Sequence, residues 1–277
     1  MGKSKYRHDF EEYFQRQLSY DIMSDPASYE YVKAIIEPTS QTQIVFSDSP
    51  AGTGKSAMSM AAAYYRLRSS QSNKIIYVRN TLAVRENGFL PGTAEEKEHN
   101  FMFPAKESLD DIGVRLGQQG SLFYSMLDTD QIEVTSTSYL RGRDFDGDVT
   151  LILDEAQNLD TTEIQTVLTR LHDDAKVVVI GSSKQVDNHR LKKFGDKKLT
   201  PFQIFVNHFE RQSAIPTKVV NLTKNYRGAL ANYADAIGDT IESVKNGEDF
   251  QSSSEDVFTK ETKLSSEDKK LIQEAYA

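Results

Sequence analysis

Short apolar runs separated by stretches of helical periodicity set the plan of this chain. The runs Gln43-Ile-Val-Phe46, Ile75-Ile-Tyr-Val78, Val149-Thr-Leu-Ile-Leu153, Lys176-Val-Val-Val-Ile180 and Lys218-Val-Val-Asn-Leu222 read as strands, most of them buried. Ile132-Glu-Val134 reads as a shorter one. Between the first two runs, Ala57 to Leu67 is rich in Ala, Met and Leu and predicts a helix, so the segment forms a right-handed βαβ unit. Ile164, Val167, Leu168 and Leu171 share one face of a helix over Thr161–His172. Helices are also expected over Pro201–Gln212 and Ala229–Val244. The pattern predicts an α/β fold with a mostly parallel central sheet and helices on both faces.

The flanks differ from this core. Phe10, Tyr13, Phe14 and Leu18 recur at helical spacing, and Asp25-Pro26 starts a second helix carrying Tyr31, Ala34 and Ile35 on one side. Residues 1–40 are therefore expected as a helical N-terminal extension, with the core over 41–245. Residues 94–127 are charged and glycine-interrupted and read as a helical insertion covering the site, after a loop over Arg85–Gly92. Residues 246–277 hold eight acids against four bases. They read as an acidic tail, disordered over 246–263, with Ser266 capping a short terminal helix.

Composition narrows the function classes. The 277 residues are enough for one large core with extensions. No cysteine is present, which excludes disulfides and thiolate metal sites. No apolar run approaches the ~20 residues of a membrane span, and the first residues are charged where a secretory signal would be apolar. A net charge of −8 argues against binding nucleic acid by bulk electrostatics. The charge is uneven, however. Six bases stand against one acid between Lys55 and Glu86, and a second basic run extends from Lys184 to Lys198, so a positive face is compatible with the acidic total.

The chemistry gathers at the ends of the predicted strands. Asp48-Ser-Pro-Ala-Gly-Thr-Gly-Lys-Ser56 lies between a strand and a helix. Glycines there let backbone N–H groups converge on anionic oxygens, so Pro50, Ala51, Gly52, Thr53, Gly54, Lys55 and Ser56 form a candidate phosphate cradle. Lys55 is placed for the β- and γ-phosphates and the Ser56 hydroxyl for Mg²⁺. About 100 residues on, the third main strand ends in Asp154-Glu155-Ala-Gln157. Asp154 is the candidate holder of Mg²⁺ and Glu155 the candidate general base for an attacking water. After the fourth strand, Gln185 reads either as a γ-phosphate sensor or as a turn residue facing solvent. ATP and Mg²⁺ are the expected cofactors.

The motifs Ser-Pro-Ala-Gly-Thr-Gly-Lys-Ser56, Gly88-Phe-Leu-Pro-Gly92, Tyr139-Leu-Arg-Gly-Arg143, Leu151-Ile-Leu-Asp-Glu-Ala-Gln-Asn158 and Leu168-Thr-Arg170 occur in an order that resembles PhoH-like proteins. The resemblance spans roughly Pro26 to Val244. It implies a single RecA-like P-loop ATPase core related to superfamily 1 helicases, and a bacterial or phage cytoplasmic setting. Asn225-Tyr-Arg227 looks like the helicase motif whose arginine reaches the γ-phosphate. The chain departs from the family pattern at Ser49, where glycine is usual, at Asn80, where proline is usual, and at Ser182, where aspartate is usual. Ser28 and Glu30 stand about where many nucleic-acid ATPases carry an adenine-reading glutamine.

Several functions fit these residues. The first is an ATPase acting on RNA or single-stranded DNA, with Arg79, Arg85, Tyr139, Arg141, Arg143 and Lys184 as candidate contacts. A solvated rim accounts for any one of them equally well. The second is a nucleotide-dependent assembly protein. A ribonuclease has no supporting His pair or carboxylate set. Phosphoryl transfer also favours an arginine finger. One core without a second implies a finger from Arg227, Arg141, Arg143 or Arg170, supplied within the chain or by a neighbour in a homo-oligomer such as a hexameric ring.

Overall fold

The computed structural model describes residues 10–79, 94–140, 142, 144–145, 147–188, 191–235 and 237–245. Arg85, the Gly88–Gly92 motif, Arg141, Arg143 and the 246–277 tail lie outside the described residues. Residues 1–232 form one compact unit, and residues 233–277 a second.

Six strands form one sheet in which every pairing is parallel. They are β1 (Ile44–Asp48), β2 (Lys74–Arg79), β3 (Ile132–Thr135), β4 (Val149–Asp154), β5 (Lys176–Gly181) and β6 (Thr217–Val219), in the order β3-β2-β4-β5-β1-β6. The side-chain period of two sorts each strand between two cores. Val45, Ile75, Tyr77, Ile132, Ile152, Val178 and Ile180 point to one face. Ile44, Phe46, Ile76, Val78, Leu151, Leu153, Val177 and Val179 point to the other. Burial on both faces is why these strands read as continuous apolar runs.

The first face is covered by α1 (Pro26–Ile36), α2 (Lys55–Arg68), α3 (Ala94–Arg115) and α4 (Leu122–Asp128). The second is covered by α5 (Thr161–Leu168) and α6 (Pro201–Glu210). The chain ends its described part with α7 (Ala229–Asp235) and α8 (Ile237–Lys245). The N-terminal helices belong to the core itself: Phe14, Leu18, Tyr31, Val32 and Ile35 are fully buried. Asp25 caps α1 by accepting from the Ser28 N–H, and Pro26 begins it. The segment expected as a helical insertion forms the α3–α4 crossover between neighbouring β2 and β3. It buries Ala105, Leu109, Ile112 and Phe123 in the first core.

Two buried basic side chains tie α1 to the sheet. Arg66 on α2 donates to the carbonyls of Ile35, Ile36 and Glu37, which satisfies the open C-terminus of α1, and to Thr150 Oγ1 on β4. Lys176, fully buried at the start of β5, donates to the carbonyls of Ala34 and Thr42.

Candidate active site

The loop after β1 turns into α2 through two glycines with positive φ, Gly52 at 77° and Gly54 at 75°. Gly52 has a second reason to lack a side chain. A Cβ there would stand 2.5 Å from Asn225 Oδ1 and 3.0 Å from Arg227 Cδ. The loop is held from outside by the segment after β6: Asn225 Nδ2 donates to the Ala51 carbonyl at 3.0 Å, and the Tyr226 N–H to the Gly52 carbonyl at 2.8 Å. Inside the loop, Thr53 Oγ1 and Lys55 Nζ both donate to the Pro50 carbonyl, at 2.9 and 3.2 Å. Ser49, in place of the usual glycine, is buried. Its hydroxyl accepts from the Leu222 N–H at 2.8 Å and lies 2.7 Å from Ser47 Oγ, binding the loop to the chain leaving β6. That contact explains why β6 stops at Val219 and not at the expected Leu222.

Asp154 ends β4 beside this loop. Ser56 Oγ donates to its carboxylate, 3.2 Å from Oδ2 and 3.4 Å from Oδ1. Tyr77, on the adjacent β2, donates its hydroxyl to Oδ2 at 2.5 Å. Burial, then the Asp154 charge, push the Tyr77 phenol well above its ordinary pKa, so it remains a donor. Glu155 follows in the left-handed region, at φ 57° and ψ 35°, a conformation costing a non-glycine residue roughly 1–2 kcal/mol. It turns the Glu155 carboxylate toward Arg79 Nη2, 3.4 Å from Oε1, and Gln157 Nε2, 2.7 Å from Oε2. Arg79 Nη1 also lies 3.9 Å from Asp154 Oδ2. Arg79, read from the sequence as a nucleic-acid contact, thus lies within ion-pair distance of both carboxylates.

Gln157 carries the site across to β5. Its Nε2 also donates to the Gln185 carbonyl at 3.3 Å, while its Oε1 accepts from the Ser182 N–H at 3.0 Å. Ser182, where aspartate is usual, thus serves through its backbone. Asp48, at the end of β1, accepts from the N–H and hydroxyl of Ser183 at 2.7 and 2.5 Å, joining the two strand ends.

The structure brings Lys55, Ser56, Asp154, Glu155, Gln185 and Arg227 to one edge of the sheet, on loops leaving β1, β4, β5 and β6. Arg227 packs against Gly52 of its own chain. Tyr139 stands 74% exposed on the turn Thr137–Leu140, and Lys184 is exposed after β5. Arg170 pairs with Asp144 at 3.6 Å. The side chains of this hydrogen-bond network that sequence reasoning did not single out are Tyr77, Gln157 and Asn158, the last of which accepts from the Asp187 and Asn188 N–H groups. Tyr77 carried one signal, a phenol inside an otherwise aliphatic strand.

A family model described as "PhoH-like protein" matches residues 24–236. The chain belongs to the PhoH-like family. It is 36% identical over 156 residues to a PhoH-like protein of Mycobacterium tuberculosis, covering 56% of this chain and 43% of the relative. It is 34% identical over 159 residues to a PhoH-like protein of Bacillus subtilis, covering 57% and 47%. It is 33% identical over 173 residues to protein PhoH of Escherichia coli, covering 62% and 47%. The matches thus span less than half the length of these relatives. The family, the parallel α/β sheet and the glycine loop at its carboxyl edge agree on a P-loop NTPase-like fold. Among the described residues, no helix is long and apolar enough to cross a membrane.

Proposed function

We propose that this PhoH-like protein binds ATP with Mg²⁺ at the glycine loop and hydrolyses it, coupled to RNA or single-stranded DNA. The observation that carries the reading is the 3.2 Å approach of Ser56 Oγ to Asp154, with Glu155 directly after it. The Ser56 hydroxyl would ligate Mg²⁺ and the Asp154 carboxylate would hold it through its water shell, two oxygen groups of the kind this ion prefers. No group of three His, Cys, Asp or Glu side chains among the described residues could hold a metal. Mg²⁺ would therefore take most of its ligands from phosphate and water, as is usual for it at nucleotide sites. Bound there, the ion would neutralise charge on the phosphates.

The chain's own groups divide the remaining work. Backbone N–H groups of residues 51–56 and the Lys55 ammonium would hold the phosphates. Glu155, steered by Arg79 and Gln157, would accept the proton of an attacking water. Gln185 would report the γ-phosphate through Gln157. Arg227 would act on the nucleotide of its own chain, because it lies on its own Gly52. A finger supplied by a neighbour would then fall to other arginines, and a homo-oligomeric ring in the cytoplasm completes the proposal. The test of binding is Lys55→Ala, which is expected to abolish the thermal shift produced by Mg·ATP. An unchanged shift would overturn the assignment of the loop. Mass measured with ATP present tests the ring, and a monomer would remove it.

A further inference from the structure

The longest connection on the site's edge runs from β5 to α6, and it carries charge of the wrong sign for this protein. Residues 182–200 hold six Lys and Arg against two Asp, in a chain of net charge −8. Its outer part folds back on itself: Phe194 and Leu199 exchange N–H to carbonyl hydrogen bonds, both 2.9 Å, and the Lys198 N–H closes the tip on the Gly195 carbonyl. Gly195 and Lys198 both take positive φ, 65° and 50°. This tight turn presents Lys192, Lys193, Lys197 and Lys198 to solvent. Among the described residues no carboxylate pairs with any of the four. The Lys192 ammonium sits 5.6 Å from the centre of the half-buried Phe194 ring.

The root of the same connection is fastened to the catalytic motif. Asn158 Oδ1 accepts from the N–H groups of Asp187 and Asn188 at 3.0 and 3.3 Å, and Asn188 Nδ2 donates to the Asn158 carbonyl at 3.1 Å. One residue earlier, Gln157 bonds both the Gln185 carbonyl and the Glu155 carboxylate. Asn158, Gln157 and Asn188 are all buried, so these are fixed contacts within the fold. Asn158 and Gln157 thus link residues 185–188 of this connection by hydrogen bonds to the motif that carries the Glu155 carboxylate.

We infer that the Lys192–Lys198 hairpin is a binding site for the phosphodiester backbone of a single-stranded nucleic acid, and that Asn158 transmits its occupation to Glu155. The inference rests on the nucleic-acid half of the proposed function and names the surface and the linkage. Four ammonium groups on a short turn match a chain of phosphates. An aromatic ring among them suits an unpaired base, which a duplex does not offer. Local charge on an acidic protein makes such binding strongly dependent on salt.

The test measures fluorescent oligouridylate RNA binding across a KCl series, together with ATP hydrolysis with and without that RNA. The variant replacing Lys192, Lys193, Lys197 and Lys198 by Gln is expected to flatten the log–log salt slope by about 0.7 for each phosphate no longer neutralised, up to about 2.8. Its hydrolysis without RNA should remain at the wild-type rate, and RNA should no longer raise it. Asn158→Ala is expected to bind RNA with the wild-type slope and to lose the stimulation. If the Gln variant keeps wild-type affinity and slope, the hairpin is not the site, while the nucleic-acid reading stands. If wild-type protein fails to bind RNA even at low salt, that reading and this inference fall together. If duplex RNA binds as tightly as the single strand, the single-strand assignment is overturned. Stimulation retained in Asn158→Ala overturns the linkage.

Discussion

Tyr77, Asp154 and Glu155 show how few atoms decide this site. The Tyr77 hydroxyl holds the Asp154 oxygen that also faces Ser56, and so fixes the carboxylate proposed to hold Mg²⁺. Loss of such an outer partner typically costs about 10–100-fold in metal affinity. Tyr77→Phe is therefore expected to raise the Mg²⁺ concentration for half-maximal ATP hydrolysis by roughly tenfold or more. A Mg²⁺ titration checks it, and wild-type half-saturation in the variant would contradict the role. Lys55, Ser56, Asp154 and Glu155 are legible in the sequence because each lies within a short local pattern at a strand end. Tyr77, Gln157 and Asn158 are not. Their partners lie 77, 28 and 29–30 residues away, and only the sheet order brings them together.

At the scale of elements, the strands are readable because burial on both faces leaves no polar alternation to confuse them. Two elements are less so. The sequence pattern runs β6 from Lys218 to Leu222, yet it spans Thr217–Val219, because the Leu222 N–H turns away to Ser49. α2 starts at Lys55, two residues before the expected Ala57, because Gly54 serves as its left-handed N-cap and the phosphate loop runs directly into the helix. The hold of Asn225, Tyr226 and Arg227 on the loop is equally hidden, since it joins segments some 174 residues apart. It yields a prediction. Gly52→Ala places a methyl 2.5 Å from Asn225 Oδ1 at a backbone angle costing roughly 1–2 kcal/mol for a residue with a Cβ. The variant is expected to lose that much stability or more in urea unfolding, and to bind ATP more weakly as Asn225 is displaced. Wild-type stability together with wild-type ATP affinity would show that the loop is not clamped there.

For the whole molecule, the buried join between α1, β1 and β5 has a titration signature. Burial, reinforced by the Arg66 charge, lowers the Lys176 pKa from 10.5 to about 6. Between those values the unfolded chain holds a proton that the folded chain releases. Stability therefore rises with pH across the window, and this contribution is flat below about 6. The slope from one such group is at most about 1.4 kcal/mol per pH unit. Lys176→Met removes the titration and leaves the Ala34 and Thr42 carbonyls without this donor. Urea unfolding between about pH 7 and about pH 9 is expected to show wild-type stability climbing relative to the variant. A constant difference would mean that Lys176 stays charged in the fold.

The proposed hydrolysis turns on the carboxylate of Glu155, which backbone strain, Arg79 and Gln157 together aim. Glu155→Gln keeps the side chain's shape and its site beside Asp154 but cannot accept a proton. The most direct measurement is single-turnover ATP hydrolysis alongside equilibrium Mg·ATP binding for this variant and the wild type. The predicted result is binding near the wild-type level with hydrolysis slowed by about 10²–10⁴-fold. Hydrolysis within a few-fold of wild type would contradict the assignment of Glu155 as the base and, with it, the reading of this strand end as the catalytic edge.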